Sequence, residues 1–220
     1  MTVVDTAVLD VDGTLVDTVY QHTAAWSQAF AEVGVIVPRF RVHRAIGMGG
    51  DRLVAHVAGR RVEEEHGDRV RARHDELFEE VIEDVVALPG AADLLRALRE
   101  RGLKVALASS GEAGQTARLL ARVDGSDRVD ARTSSADVVA SKPAPDLIEA
   151  AVKRVGGRHA AVVGDAVWDV KAARALDCYA IGLLSGGFGE AELRGAGAAR
   201  VYPTPRELVD DLDATPLRGG

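Results

Sequence analysis

The chain lacks most of the features that would place it outside the cytoplasm. Cys178 is its one cysteine, so no disulfide can form within the 220 residues, and no histidine or second cysteine adjoins it to share a metal. We predict that Cys178 is a buried structural thiol. No apolar run approaches the roughly 18 residues that cross a bilayer, and Asp5, Asp10 and Asp12 interrupt the N-terminal segment where a signal peptide would be apolar. These absences predict a cytoplasmic protein with no membrane contact.

The chain also has fewer basic than acidic residues. The chain has 27 lysines and arginines against 34 aspartates and glutamates, which gives a net charge of −7. Such a surface repels nucleic acids and anionic membranes, whereas a small anion could still bind in a local basic pocket. The 47% of hydrophobic and 28% of charged residues are ordinary for a globular protein and exclude general disorder. We expect a small-molecule partner and no nucleic acid, and the oligomeric state stays open between a monomer and a weak homodimer.

Apolar strands alternate with amphipathic helices over most of the chain. A short, β-branched strand is predicted from Val3 to Leu9. From residue 88 onward the pattern predicts helices at 91–101, 112–122, 144–155 and 166–176, and strands at 103–108, near 129, at 160–163 and at 178–183. This alternation is typical of a parallel sheet covered by helices on both faces. We therefore predict an α/β fold with a Rossmann-like core.

The segment between the first strand and residue 88 has no strand pattern. Helices are predicted there at 20–33, 39–46, 50–58 and 62–86, the last one rich in charge but with an apolar stripe. We place the core at 1–17 and 87–220 and an inserted, all-helical domain at 18–86. The last residues, from Thr215 onward, are expected to be frayed.

Reactive side chains cluster after the predicted strands of the core. In open α/β sheets, ligands bind at the carboxyl ends of the strands, where such side chains meet. The set, in chain order, is Asp10, Asp12, Ser109, Ser110, Lys142, Asp165 and Asp169.

These residue types suit phosphoryl transfer. A carboxylate such as Asp10 can attack a phosphoryl group and divide one difficult displacement into two. Two anions repel each other, so a cation must lie between them; Mg²⁺ prefers oxygen ligands, and Asp10 and Asp165 could supply them. Lys142 could neutralise charge on the transferring oxygens, with Ser109 holding one of them. Asp12 could give a proton to the leaving oxygen and later take one from water.

The same residues resemble the four motifs of the haloacid dehalogenase-like (HAD) hydrolase superfamily, in the family's order. The matching segments are Asp10-Val-Asp-Gly-Thr-Leu-Val-Asp17, Ser109, Lys142-Pro143 and Gly164-Asp165-Ala-Val-Trp-Asp169. The helical insertion after the first motif resembles that superfamily's C1 cap. The resemblance covers nearly the whole chain and implies a HAD fold.

The resemblance also implies a role for each matching residue. Asp10 would be the nucleophile and a Mg²⁺ ligand, and Asp12 the general acid/base, with its backbone carbonyl on the metal. Ser109 and Lys142 would hold the transferring phosphoryl group. Asp165 would be a further metal ligand. Asp169 would either bind the metal directly or contact the residues that bind it. Dehalogenases resemble this pattern but lack an acid at the position of Asp12, so the resemblance implies a phosphatase.

Within the superfamily, the phosphatase and phosphomutase branches both remain open. In β-phosphoglucomutase-like relatives a histidine follows the nucleophile at a similar distance, so His22 either contacts substrate or is a hinge residue. That branch and phosphonatases also use a cap lysine, whereas no lysine precedes Lys104. We favour a phosphatase acting on a sugar phosphate or phosphoglycolate. A phosphomutase is the alternative, and a non-catalytic phosphate-binding regulator a further one.

The segment from Gly47 to Arg52 resembles the substrate-specificity loop of C1 caps. Gly47 would let the backbone approach the ligand, and Arg52 could pair with an anionic group. The alternative is a turn followed by a helix on which Arg52 is solvated. Ser110 is a further candidate for substrate contact, and Asp17 is predicted to cap the first helix of the insertion.

Overall fold

A six-stranded parallel sheet forms the centre of the computed structural model, which describes residues 4–219. The strands are β1 (Thr6–Leu9), β2 (Lys104–Ala108), β3 (Ala131–Thr133), β4 (Ala160–Gly164), β5 (Tyr179–Leu183) and β6 (Arg200–Tyr202). Their order, β3-β2-β1-β4-β5-β6, places β1 between β2 and β4. The predicted Rossmann-like α/β fold is confirmed. Val3, where the first strand was expected to begin, lies outside the described residues.

The apolar runs of the central strands are buried on both faces. Successive side chains of a strand point to opposite faces, so Ala7 and Leu9 pack into one hydrophobic cluster and Val8 into another. Leu9 pairs with Leu107 of β2 on one side and with Val163 of β4 on the other. This register brings the carboxyl ends of three strands to the same edge of the sheet.

Six helices of the core accompany these strands. They are α5 (Ala91–Glu100), α6 (Ala113–Leu120), α7 (Asp146–Arg154), α8 (Val167–Ala175), α9 (Glu190–Ala196) and α10 (Pro205–Asp210). The first four agree with the predicted helices to within two residues at each end. We predicted nothing for α9, β6 and α10, because three-residue strands and six- or seven-residue helices are too short to show a clear period.

Four helices lie between β1 and α5. They are α1 (Val19–Glu32), α2 (Arg39–His43), α3 (Gly50–Ala58) and α4 (Arg60–Glu79). The helix predicted to run to residue 86 ends at Glu79 and is followed by a short 3-10 turn at Ile82–Asp84. Trp26, Phe30 and Phe78 form buried aromatic core between α1 and α4. The domain boundaries at 17 and 87 stay a prediction.

Three local predictions are wrong. Asp17 is exposed, and Thr18 stands at the N-terminal cap of α1 without a side-chain hydrogen bond, so Asp17 does not cap that helix. Cys178 is half-buried rather than buried. The C-terminal segment is packed, since Thr215 and Leu217 are buried.

Within residues 4–219, each helix is too short or too polar to span a lipid bilayer.

Candidate active site

The loop after β1 carries the first two acidic residues of the site. The backbone N–H of Asp10 still donates to Val163 at 2.9 Å, so Asp10 continues the sheet and is held rigidly. The chain then turns through Gly13, whose φ is 73°. A Cβ atom on Gly13 would lie 2.3 Å from a carboxylate oxygen of Asp165, so the close approach of the two loops requires glycine here.

Three buried carboxylates from two segments meet at this edge of the sheet. Oxygen atoms of Asp10, Asp165 and Asp169 all lie within 4.8 Å of one another. The Nζ of Lys142 lies 2.5 Å from Asp10 and 2.8 Å from Asp169. Thr14 donates to Asp165 at 3.0 Å and holds its carboxylate in place. The structure thus brings together four residues that were predicted from the sequence.

This cluster holds more negative than positive charge. Burial raises the pKa of Asp10 to about 7, although Lys142 opposes the shift, and burial raises the pKa of Asp165 well above its usual value. Burial alone would lower the pKa of Lys142, but Asp10 and Asp169 together raise it, so its ammonium stays charged. A divalent cation would supply the missing positive charge, and the all-oxygen donor set suits one. The residues therefore fit a metal site.

Asp12 lies in a different environment from Asp10, two positions away. Its side chain is 15% exposed and faces a cavity. Burial opposes its ionisation, but hydrogen bonds from His22 at 3.1 Å and Thr18 at 2.7 Å outweigh burial and lower its pKa. Asp12 is thus held beside the carboxylate cluster but contacts the cavity and the helical segment.

A chain of histidines extends from Asp12 into the helical segment. Nδ1 of His22 lies 3.0 Å from Nε2 of His74, and Nδ1 of His74 lies 2.9 Å from Asp75. His74 was not predicted from the sequence. Its only signal was its position on the apolar stripe of α4, between Val70 and Phe78, which is typical of core residues.

Ser109 and Ser110 follow β2 but have different surroundings. Ser109 is fully buried, and its Oγ accepts from the N–H of Gly111 at 3.0 Å. Ser110 lines the cavity, and its Oγ donates to the carbonyl of Gly47 at 3.3 Å. Gly47 has a φ of 96° and lines the cavity too, so the structure brings its backbone to the core, while its predicted role in substrate binding stays a prediction.

The cavity between the helical segment and the sheet edge has a volume of about 360 Å³. Asp10 and Asp12 line it from the sheet edge, and His22 from α1. Arg52 is exposed on α3, 3.8 Å from Asp51, and within residues 4–219 the cavity lining includes Arg71 but not Arg52. Arg71 was not predicted from the sequence, because its position depends on how α4 packs against its neighbours.

Comparison with known proteins gives a consistent result. A model of the haloacid dehalogenase-like hydrolase family matches residues 4–177. A phosphoglycolate phosphatase from Shigella boydii is 30% identical over 207 residues, covering 83% of this chain and 82% of the relative. A phosphonoacetaldehyde hydrolase from Bordetella pertussis is 30% identical over 205 residues, covering 82% and 72%. The crystal structure of a hydrolase from Pseudomonas syringae superposes with a TM-score of 0.89 at 36% identity, covering 95% of this chain and 98% of that one.

Proposed function

The chain belongs to the haloacid dehalogenase-like hydrolase family, in its C1-capped branch, and on that premise we propose that it is a Mg²⁺-dependent phosphatase acting through an aspartyl-phosphate on Asp10. The substrate would be a small phosphorylated metabolite of the sugar phosphate or phosphoglycolate type. The name of the Shigella boydii relative supports phosphoglycolate as one candidate. Localisation in the cytoplasm is part of the same proposal.

One observation carries this function: two neighbouring aspartates occupy different places at the end of β1. Asp10 is paired with Lys142 inside the carboxylate cluster, whereas Asp12 faces the cavity and contacts His22. The reaction needs both places, because one carboxylate must attack phosphorus while the other handles the proton of the leaving oxygen. Burial raises the pKa of Asp10, and a bound cation would favour the ionised form that attacks.

The metal would be held by carboxylates of Asp10, Asp165 and Asp169 and by the backbone carbonyl of Asp12. Bound Mg²⁺ would shield the phosphoryl oxygens from the attacking carboxylate and neutralise charge in the transition state. Lys142 lies at the same carboxylate and would stabilise the transferring oxygens.

The chain's own residues account for both chemical steps. In the first, an oxygen of Asp10 would form a bond to phosphorus while the bond from phosphorus to the leaving oxygen breaks. Asp12 would give that oxygen a proton, which it must first take up although the hydrogen bonds from His22 and Thr18 favour its ionised form. In the second, Asp12 takes a proton from a water molecule that attacks the acyl phosphate, which releases phosphate and restores Asp10. Ser109 and Lys142 would hold the phosphoryl group throughout.

The test is phosphate release from a panel of phosphorylated metabolites, with and without Mg²⁺. We expect metal-dependent release by the wild type and a loss of at least about a thousandfold in Asp10→Asn, because the amide is a poor nucleophile. A folded, metal-binding wild type that releases phosphate from no substrate would contradict the proposal and favour a non-catalytic regulator.

A phosphomutase remains the second candidate because His22 contacts Asp12, as a residue that steers proton transfer would. Activity that requires a substrate bisphosphate would favour it. Phosphonate hydrolysis through a cap lysine is disfavoured despite the Bordetella pertussis relative, since no lysine precedes Lys104 in this chain.

A further inference from the structure

The cavity lining has an excess of negative charge. Besides Asp10 and Asp12 it includes Asp51, Asp75 and Glu112, and Arg71 is the one cationic side chain among the lining residues that the structure describes. Backbone amides at the start of α6 hold the pKa of Glu112 below its usual value, so this carboxylate stays ionised. The cavity lining thus holds three carboxylates besides those of Asp10 and Asp12, although Asp51 also accepts hydrogen bonds from Ser141.

Arg71 is already occupied by groups of its own segment. Its Nη1 lies 2.8 Å from Glu63 and donates to the carbonyl of Gly50 at 3.2 Å, while its Nη2 donates to Asp68 at 2.8 Å. Two carboxylates thus balance the one guanidinium before any ligand binds. These two pairs weaken the attraction of Arg71 for an anionic group on a substrate.

Aromatic rings form another part of the cavity lining, next to Asp75. The rings of Trp26 and His74 stack with their centroids 4.0 Å apart, and His22 stacks on Phe78 at 3.8 Å. Burial lowers the pKa of His74 to about 4, so this ring carries no positive charge at neutral pH. These rings can pack against a carbon skeleton.

Neutral hydrogen-bonding groups complete the lining. Ser110, Gln115 and Ser135 lie there together with the backbone of the Gly47 loop. Hydroxyl and amide groups of this kind suit the hydroxyls of a carbohydrate, which both donate and accept hydrogen bonds.

We propose that this enzyme selects phosphomonoesters whose leaving alcohol carries no second negative charge, namely sugar or polyol monophosphates, and discriminates against phosphoglycolate and bisphosphates. The inference rests on the proposed phosphatase function and narrows its substrate class. It separates this chain from the activity that the Shigella boydii relative's name describes.

A matched pair of substrates tests the discrimination. Glycerol 3-phosphate and 3-phosphoglycerate differ only in a hydroxymethyl group against a carboxylate, and p-nitrophenyl phosphate reports phosphatase activity without either. We expect kcat/KM to favour glycerol 3-phosphate by at least about tenfold, since each nearby carboxylate repels the anion by a few-fold even in water. Phosphoglycolate should be as poor as 3-phosphoglycerate, and salt should narrow the difference by screening.

Variants that remove a single negative charge test whether the acidic cavity lining causes the discrimination between the two substrates. Glu112→Gln should raise kcat/KM for 3-phosphoglycerate by about two- to threefold and change kcat/KM for p-nitrophenyl phosphate less than that. Glu64→Gln is the control, because Glu64 is exposed on α4, is not among the cavity-lining residues and carries the same charge. An equal gain in Glu64→Gln would attribute the effect to net charge and contradict the proposal.

Arg71→Gln provides the opposite test. If Arg71 recognised a substrate anion, this variant would selectively lose activity on 3-phosphoglycerate and phosphoglycolate. That result would overturn the inference but leave the phosphatase function intact. A wild type that prefers phosphoglycolate would do the same. Absence of phosphate release from every substrate, p-nitrophenyl phosphate included, would instead reject the function on which the inference rests.

Discussion

At the scale of the single residue, Gly13 shows how closely the site is packed. Its φ is 73°, and a methyl group added to its Cα would lie 2.3 Å from Asp165, so a larger residue would meet two separate penalties. Gly34 has nearly the same φ, 77°, but nothing lies within 4 Å of its Cβ position. A substitution at Gly34 therefore measures the cost of the backbone conformation alone. The same substitution at Gly13 adds the cost of displacing the Asp165 carboxylate.

Gly13→Ala should abolish phosphatase activity and weaken metal binding, because the new methyl group displaces Asp165. Gly34→Ala should cost about 1–2 kcal/mol of unfolding free energy for the left-handed backbone and leave kcat within twofold or so of wild type. Thermal unfolding, metal titration and phosphate release would be measured on both. Equal activity in the two variants would show that the contact with Asp165 is unimportant.

Asp5 stabilises the fold far from the site. Its carboxylate accepts from the N–H groups of Arg158 and His159, both at 3.1 Å, and from Thr6 at 2.8 Å. Burial opposes its ionisation, but these hydrogen bonds outweigh burial and lower its pKa to about 2.

Because the pKa of Asp5 is lower in the folded than in the unfolded protein, its ionised carboxylate contributes to the free energy of unfolding above about pH 4, the pKa of an aspartate in an unfolded chain. This contribution is lost as the pH falls toward about 2. Asp5→Asn should lower the unfolding free energy by about 1–2 kcal/mol at pH 7, and the difference from wild type should shrink between pH 4 and about 2. Urea unfolding across that range measures it, and a difference independent of pH would contradict the assignment.

At the scale of the element, the helical segment is held against the core by contacts at its loops. Ser141, beside Lys142, accepts a hydrogen bond from the N–H of Gly49 at 3.0 Å and donates to Asp51. Nε1 of Trp168, on α8, donates to the carbonyl of Arg44 at 3.1 Å. These contacts hold the segment against the core beside the cavity.

Ser141→Ala should raise KM by about three- to tenfold, because it removes two hydrogen bonds that hold the helical segment against the core. Asp51→Asn should do the same, and the double variant should add little, since both changes break one contact. Ser27→Ala is the control, because its hydroxyl bonds only the carbonyl of Thr23 within α1. Additive effects in the double variant would show that the two residues act separately.

The elements also explain which parts of the site could be predicted from sequence. Asp10, Ser109 and Asp165 each directly follow an apolar strand, so sheet topology alone predicts that they meet. Arg71 and His74 lie on α4, and their place in the cavity depends on how that helix packs against α1 and α3. No local pattern encodes that packing, which is why Arg52 was selected as the cavity cation and Arg71 was not.

At the scale of the whole molecule, the carboxylate cluster couples metal binding to stability. A cation that binds only the folded protein stabilises it, by about 2.7 kcal/mol at a hundredfold excess over Kd. We expect Mg²⁺ to raise Tm by several degrees, or roughly 2–4 °C per kcal/mol for a chain of this size. Asp10→Asn should show a smaller rise, and differential scanning calorimetry with and without Mg²⁺ measures both. An unchanged Tm in saturating Mg²⁺ would contradict a metal site here.

The central position of β1 has a consequence for synthesis on the ribosome. The first acidic loop emerges early, yet its partner strand β4 is made much later; Thr14 and Asp165, for example, are separated by 151 positions. The helices α1 to α4 contact one another over short sequence distances and can form meanwhile, whereas the sheet must wait for its long-range pairings. The nascent chain would therefore hold a folded helical segment and an unpaired, apolar β1, the state in which a chaperone would find it most exposed.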